Sequence, residues 1–296
     1  MLVKDKQLPI IHLAVATVHE NRLPIFDPTN RPQERKKVMT TPYGNIIVQG
    51  RLGQRHKDLL EIVRVIAEKI GKTSDSRLCI IVDLYLLRKK LGKYYSYETL
   101  LEFFKDLLRT NIELEIPHLN IGFNPTGQFL ESVIPVKDGE KVKLRIEFGK
   151  FGTLLYAKDI KIFYDPEPVS KMKHGISKAV ARHVLSHANQ PNGGWKLDTL
   201  IHAVLGKNVK EYEIRKARKR IREDAKMLKS CGIEIIGDRI FLTKKLENTT
   251  SVPQKPESVP QKPESVPQKP ESVPQKPESV PQKPESVPQK PESVPV

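Results

Sequence analysis

"EIRKARKRIREDAKMLKSCGIEIIGDRIFLT", residues 213–243, carries two signals back to back. In its first half Ile214, Ala217, Ile221, Ala225 and Leu228 recur at helical spacing, and charged residues fill most of the positions between them. In its second half apolar residues alternate on either side of Gly237-Asp238, the dipeptide that a two-residue hairpin turn favours. The segment therefore reads as a helix from about Lys210 to Ser230, stopped at Gly232 and followed by a β-hairpin. Upstream, "GISKAVARHVLSHANQ" (175–190) is a helix stopped by Pro191 and "NGG", and "WKLDTLIHAVLG" (195–206) is a second helix ended by Gly206. Helix, helix, basic helix, hairpin is the order of the winged variant of helix-turn-helix.

The same order is legible earlier in the chain. "GNIIVQGRLG" (44–53) opens as a short strand, and "QRHKDLLEIVRVIAEKI" (54–70) follows with Leu59, Val63, Ile66 and Ile70 on one helical stripe. Two more helices are expected at 82–91 and 96–109. Then the period changes to two: "NIELEI" (111–116), "FLESVIPV" (129–136) and "KVKLRIEF" (141–148) are strands, the last two joined across "KDGE" as a hairpin. "IKIFYDPEPVS" (160–170), with two prolines, reads as a linker.

The expected fold is thus α+β: two tandem winged-helix domains, 43–165 and 170–246, the second being the DNA-binding one. Residues 1–42 form a poorly defined arm, in which 12–28 holds one strand and "NRPQERKKVMTTP" (30–42) is basic. At 251–296, "SVPQKPE" is repeated six times and closed by "SVPV". Two prolines per repeat exclude a continuous helix, and one valine per repeat is too little apolar surface for a core. The expectation is a disordered spacer of at most ~140 Å, at about 3.1 Å per residue.

Charge narrows the partner. The 296 residues carry a formal charge of +16, and the six Lys and six Glu of the tail cancel, so the whole excess lies on the first 250 residues. Such a surface attracts phosphate. The longest apolar run, "LCIIVDLYLL" (78–87), is too short to span a bilayer, the N-terminus shows no signal peptide, and Cys79 and Cys231 offer no disulfide framework or metal pattern. A cytoplasmic protein without a membrane partner, acting on nucleic acid, is expected. The helix itself shows how: its apolar stripe should pack on Val180, Val184, Leu200, Ile201 and Val204. Tyr212, Lys216, Lys219 and Glu223 then lie opposite, with Arg215, Arg220, Arg222 and Lys226 on the flanks. A positive helix face of that size fits the major groove, and Arg239 at the hairpin tip reaches toward the adjacent backbone or minor groove.

Catalytic patterns fail. "GKT" (71–73) lacks the glycine a phosphate loop needs five residues before Gly71, where Ile66 stands. His183 and His187 have a metal-ligand spacing, but Val184 replaces the glutamate of a metalloprotease and no third ligand is evident. A helix pair near DNA or a domain seam is the expected role for those histidines. Neither paired histidines with a nucleophilic tyrosine nor a two-metal carboxylate set is present. No catalytic residue, cofactor or metal is expected.

"GRLGQRHKDLLEIV" (50–63), and "SKAVARHVLSHANQPNGGWKLDTLIHAVLG" with "IRKARKRIREDAKMLKSCGIEI" within 177–235, resemble bacterial plasmid replication initiators of the tandem winged-helix type. The resemblance covers roughly 43–246. It implies binding to repeats in the double-stranded DNA of a plasmid origin, opening of an AT-rich segment, and recruitment of host replication initiation and helicase-loading proteins. It also implies a homodimer in equilibrium with a monomer, with the dimer contact in the first domain. By the same resemblance Arg215, Lys216, Lys219, Arg220 and Arg222 are recognition-helix contacts, Lys207 and Lys210 hold phosphates near its start, and Arg239 belongs to the wing. The matching helix of the first domain, "YETLLEFFKDLLR", carries only Lys105 and Arg109, which favours a protein contact or a weak DNA role. A repressor or partition-type DNA-binding protein is the rival reading.

Overall fold

A computed structural model describes residues 13–41, 44–92, 95–115, 126–206 and 209–243, in which two apolar cores form within a unit spanning residues 1–249. The tail lies outside the described residues, and so do Pro42, Tyr43 and Lys207.

The described residues open with a two-residue strand, β1 (Ala16–Thr17), and a short helix, α1 (Val18–Arg22), whose first turn is capped by the Thr17 hydroxyl accepting from the Glu20 amide. Residues 30–42, expected as an arm, instead supply β2 (Arg35–Thr41), paired antiparallel with β3 (Gly44–Gly50) along its whole length. Helix α2 (Gln54–Val65) is shorter than its stripe suggests. Ile70 belongs to β4 (Lys69–Lys72), where it pairs with Ile80 of β5 (Leu78–Asp83). Strand pairing overrides helical periodicity here. Asp83 ends β5 and caps α3 (Leu84–Leu91) by accepting from the Leu86 amide at 2.8 Å, so the helix expected from residue 82 starts two residues later.

Ser96 caps α4 (Tyr97–Arg109), which leads into β6 (Asn111–Glu115), β7 (Thr126–Gly127) and the hairpin β8 (Leu130–Asp138) and β9 (Lys141–Phe148). Helix α5 (Lys150–Lys158) and β10 (Lys161–Ile162) return the chain to β1. The sheets of this lobe run β4-β5-β9-β8 and β2-β3-β6-β7, all antiparallel.

The expected linker is built into the fold. After β10 it forms α6 (Pro166–Ser170), and the Tyr164 hydroxyl donates to Glu61 of α2 at 2.6 Å. The half-buried Tyr164 thus ties this proline-bearing segment to α2.

The second lobe holds α7 (Gly175–Leu185), β11 (Trp195–Lys196), α8 (Leu197–Leu205), α9 (Glu211–Glu223), α10 (Ala225–Ser230) and the strands β12 (Ile233–Ile236) and β13 (Arg239–Leu242), in sheet order β11-β13-β12. The single helix expected from 210 to 230 is interrupted at Asp224. Its carboxylate accepts from the Lys173 and His174 amides at 2.9 and 3.0 Å, tying the break to the start of α7. Ile236 and Arg239 pair across Gly237-Asp238, and Gly237 takes the positive φ of 62° that the tight turn requires.

Leaving aside β4, β6 and β7 of the first lobe and α10 of the second, both lobes share one order: a helix (α2 or α7), a strand (β5 or β11), two helices (α3 and α4, or α8 and α9), then a hairpin. In each, the leading strand hydrogen-bonds to the second hairpin strand. No helix of the described residues is long and apolar enough to cross a membrane.

Candidate nucleic-acid interface

Ile214, Ala217 and Ile221 of α9 are buried and join Val180, Val184, Leu200 and Ile201 in the second core, with Val204 packed at its edge. Leu228, from α10, completes the stripe, while Ala225 is only half-buried. Burial of Ile214, Ala217 and Ile221, at about 1.5–3 kcal/mol for each isoleucine, fixes which side of α9 faces outward.

On that outward side Arg215, Lys216, Lys219, Arg220 and Arg222 are all exposed. At ~100° per residue they spread over less than half of the helix circumference. Tyr212 lies among them, 62% exposed. Lys210 is exposed just before the first turn, and its amide donates to Glu213 across that turn at 3.0 Å. Two acidic groups stand at the two ends of the helix. Glu211 meets Arg215 at 3.5 Å, and Glu223 is held by His174 at 2.6 Å, which keeps its carboxyl below the usual range. Arg222 also donates to the Gly237 carbonyl at 3.4 Å, bringing the end of the ridge against the hairpin turn.

Two residues, Lys226 and Arg239, depart from the expected set. Lys226 is exposed but sits on α10, beyond the break at Asp224, and so outside the continuous ridge. Arg239 is half-buried and turns inward. It donates to the carbonyls of Gly193 and Gly194 at 2.7 and 3.5 Å, pinning the loop before β11. Lys207 lies outside the described residues. The remaining cation of the run, Arg218, faces α8 and grips Asp198 with two donors, one at 2.6 Å; this hydrogen bonding lowers the Asp198 carboxyl pKa. Arg218 aligns α8 with α9 and leaves the outward face to its neighbours.

A second cluster of charge lies where the lobes meet. Arg182 of α7 is 1% exposed and donates to Glu61 at 2.8 and 2.7 Å, to Asp58 at 2.7 Å and to Gln54 at 2.7 Å. Lys178, one turn earlier, reaches Asp58 at 2.5 Å and the Ser170 carbonyl at 2.8 Å. The Tyr95 hydroxyl donates to Asp58 at 2.6 Å, as Tyr164 does to Glu61. Burial pushes the Asp58 carboxyl up, but Lys178 and Arg182 more than offset it and hold the group below its ordinary value. Beside it, Arg64 pairs with Glu20 at 2.9 Å, and Lys57 donates to the Glu20 carbonyl at 2.5 Å. Burial lowers the Lys57 ammonium to about 8.

Sequence reasoning missed this seam. Two signals pointed to it: cations at 178 and 182 on an otherwise apolar helix, and polar residues at 54, 58 and 61 on one face of another. His183 and His187 lie at its rim with rings 5.1 Å apart, His187 also 5.6 Å from Trp195. Burial first, then His187 and Arg22, lowers His183 to about 4; burial and Arg22 do the same to His187. No three metal-ligating side chains converge among the described residues.

Comparison with family models, with curated proteins and with solved structures gives no match for the chain.

Proposed function

We propose that both lobes are winged helices and that the chain is a sequence-specific double-stranded DNA-binding protein. Its role in this reading is that of a plasmid replication initiator, which binds origin repeats, promotes opening of an AT-rich segment and recruits host replication proteins. The observation that carries the reading is α9: its apolar underside is buried, while five cations on the other side stay exposed. Water screens exposed like charges only partly, whereas a duplex offers two phosphate rails with base edges between them. Arginine in that position suits guanine, and lysine suits phosphate. Binding energy does the work, and no catalytic role is assigned.

The helix-strand-helix-helix-hairpin order supports the winged-helix assignment in both lobes. The two third helices divide the labour. On α4 the exposed charged residues, Glu98, Glu102, Lys105 and Arg109, balance, so α9 is the principal DNA element.

The direct test is replication of a vector carrying only this gene and its flanking DNA. Autonomous colonies are expected, with the protein protecting directly repeated sites beside an AT-rich stretch. A repressor would use the same ridge but would protect a lone palindrome over a promoter, and the vector would not replicate. Failure of the purified protein to bind any duplex at low salt removes both.

A further inference from the structure

A cleft of about 640 Å³ opens where the ends of β2 and β3 meet the last turn of α4, and no residue of α9 borders it. That volume lies in the range of small-molecule sites. Its floor is one row of the sheet. Lys36, Gln49 and Asn111 stand side by side on β2, β3 and β6, all exposed, across two inter-strand spacings or about 10 Å. Its wall is formed by Arg51 and Arg109. Gly50, at a φ of 143°, lets floor and wall meet, because a Cβ there would collide with the Thr110 side chain.

Arg51 is held from behind. Its Nε and Nη2 donate to the two Asp106 oxygens at 3.0 and 3.1 Å, and His56 Nε2 donates to the same carboxylate at 2.9 Å. The Gly53 amide donates to His56 Nδ1 at 3.1 Å, which places the ring proton on Nε2. His56 is 1% exposed, so this relay is anchored in the core. Burial pushes the Asp106 carboxyl up, but His56 and Arg51 more than offset it and hold it below its ordinary value. The remaining N–H groups of Arg51 stay open, with 44% of the side chain exposed.

Most carboxylates nearby are already committed. Asp106 serves Arg51 and His56, Glu102 pairs with Lys105 at 2.8 Å, and Asp27 takes Arg35 at 2.8 Å. Among the described residues Lys36 and Arg109 have no ion-pair partner, and Glu34 at the rim has none either. The side-chain amides of Gln49 and Asn111 are likewise without a hydrogen bond among the described residues.

We propose that this cleft is a binding site for a free nucleoside phosphate. Lys36, Arg109 and the open edge of Arg51 take the phosphate oxygens, the acceptors that ammonium and guanidinium groups bind best. Inorganic phosphate would use these groups alone. Gln49 and Asn111 each present a donor and an acceptor, which suits a base edge, and Glu34 accepts from a ribose hydroxyl. Free cations, free amides and one free acid together fit the whole nucleotide better than either half of it. The site goes beyond the reading of duplex DNA, since its ligand is a small molecule and its residues all belong to the first lobe.

The test titrates the full-length chain with ATP, GTP, CTP and UTP by calorimetry, with inorganic phosphate and the matching nucleosides alongside. At least one triphosphate should bind with a dissociation constant of about 1 mM or tighter, and phosphate or nucleoside alone about tenfold more weakly or worse. Lys36→Gln combined with Arg109→Gln removes two exposed charges and should weaken binding about tenfold or more, with an unchanged circular dichroism spectrum and melting temperature. Arg51→Lys keeps the charge but loses the two-point hold on Asp106, and should weaken binding as well. Asn111→Leu should flatten the preference among the four bases while triphosphate binding persists. Four triphosphates that all fail to bind, inorganic phosphate binding as tightly as any of them (an adventitious ion only), or indifference to the double substitution would each overturn the proposal. Loss of duplex affinity in the double variant, with no nucleotide bound by the wild type, would assign the cleft to DNA phosphate instead. Nucleotide binding is read without any duplex present, so its failure leaves the role of α9 untouched.

Discussion

Lys219 and Arg218 are adjacent cations with different tasks, and substituting each by glutamine separates binding from folding. Lys210 and the five exposed cations of α9 give six candidate phosphate contacts. At ~0.9 counterions released per contact, six contacts give a log–log salt slope of about −5 and a loss of about 10³ in affinity between 50 and 200 mM salt. Lys219→Gln removes one exposed charge and nothing from the core. Its slope should flatten by about 0.9, with an unchanged melting curve. Arg218→Gln instead breaks the pair with Asp198 that aligns α8 with α9. A pair this exposed contributes about 0.2–1 kcal/mol, so stability should fall slightly while the slope stays at the wild-type value. Fluorescence anisotropy on a labelled duplex over that salt range measures the slope, and urea titration measures the stability. Equal flattening by both substitutions, or none from Lys219→Gln, would refute the division of the helix into a ridge and a clamp.

Arg182→Met should leave Asp58 and Glu61 buried without a guanidinium, costing about 3–5 kcal/mol and splitting a single urea transition into two as the lobes unfold apart; a loss under 1 kcal/mol would contradict the seam. Acid should destabilise the fold in two overlapping stages. His183 stays neutral in the folded chain until about pH 4 against 6.5 unfolded, so its contribution, about 3 kcal/mol at 1.36 kcal/mol per pKa unit, is complete above 6.5 and lost as pH falls toward 4. Asp58, whose pKa is lowered on folding, adds a loss below the ordinary carboxylate range. Unfolding free energies that stay level from pH 7 to 4 would exclude this ordering. Gly175→Ala would place a Cβ 2.6 Å from the Thr29 Cα across the seam and should destabilise by about 1–3 kcal/mol, whereas Gly71→Ala, which meets nothing within 4 Å, should be close to neutral in thermal melts.

Elements with one strong local signal were legible in the sequence. The hairpin around Gly237-Asp238, the helix-breaking Gly206 and the buried stripe of α9 needed only periodicity and turn chemistry. Misreadings arose where tertiary partners decide the outcome. Ile66 and Ile70 fit a helical stripe, yet Ile70 gains a neighbour in Ile80 only by leaving the helix. The basic stretch at 30–42 looked like an arm because its apolar content is low, but as an edge strand it needs only β3 beside it. Arg239 was placed at the hairpin tip correctly and assigned outward without knowledge of the Gly193 and Gly194 carbonyls that turn it back. Asp224 sits mid-pattern, and nothing local shows that two amides of another segment would take it from the helix.

The seam explains why the two lobes can differ at their third helices. Their first helices, α2 and α7, meet through carboxylates at 58 and 61 on one side and cations at 178 and 182 on the other. An apolar contact of the same size would tolerate sliding by a fraction of a turn. Displacing α7 along α2 by a full turn here would strand buried charges at several kcal/mol apiece, so only one alignment is stable. Orientation is therefore set by the first helices, and neither third helix is needed to hold the lobes together. Freed of that duty, α9 can carry a density of exposed cations on its outward side, and α4 can carry balanced charge on its own, without cost to the seam.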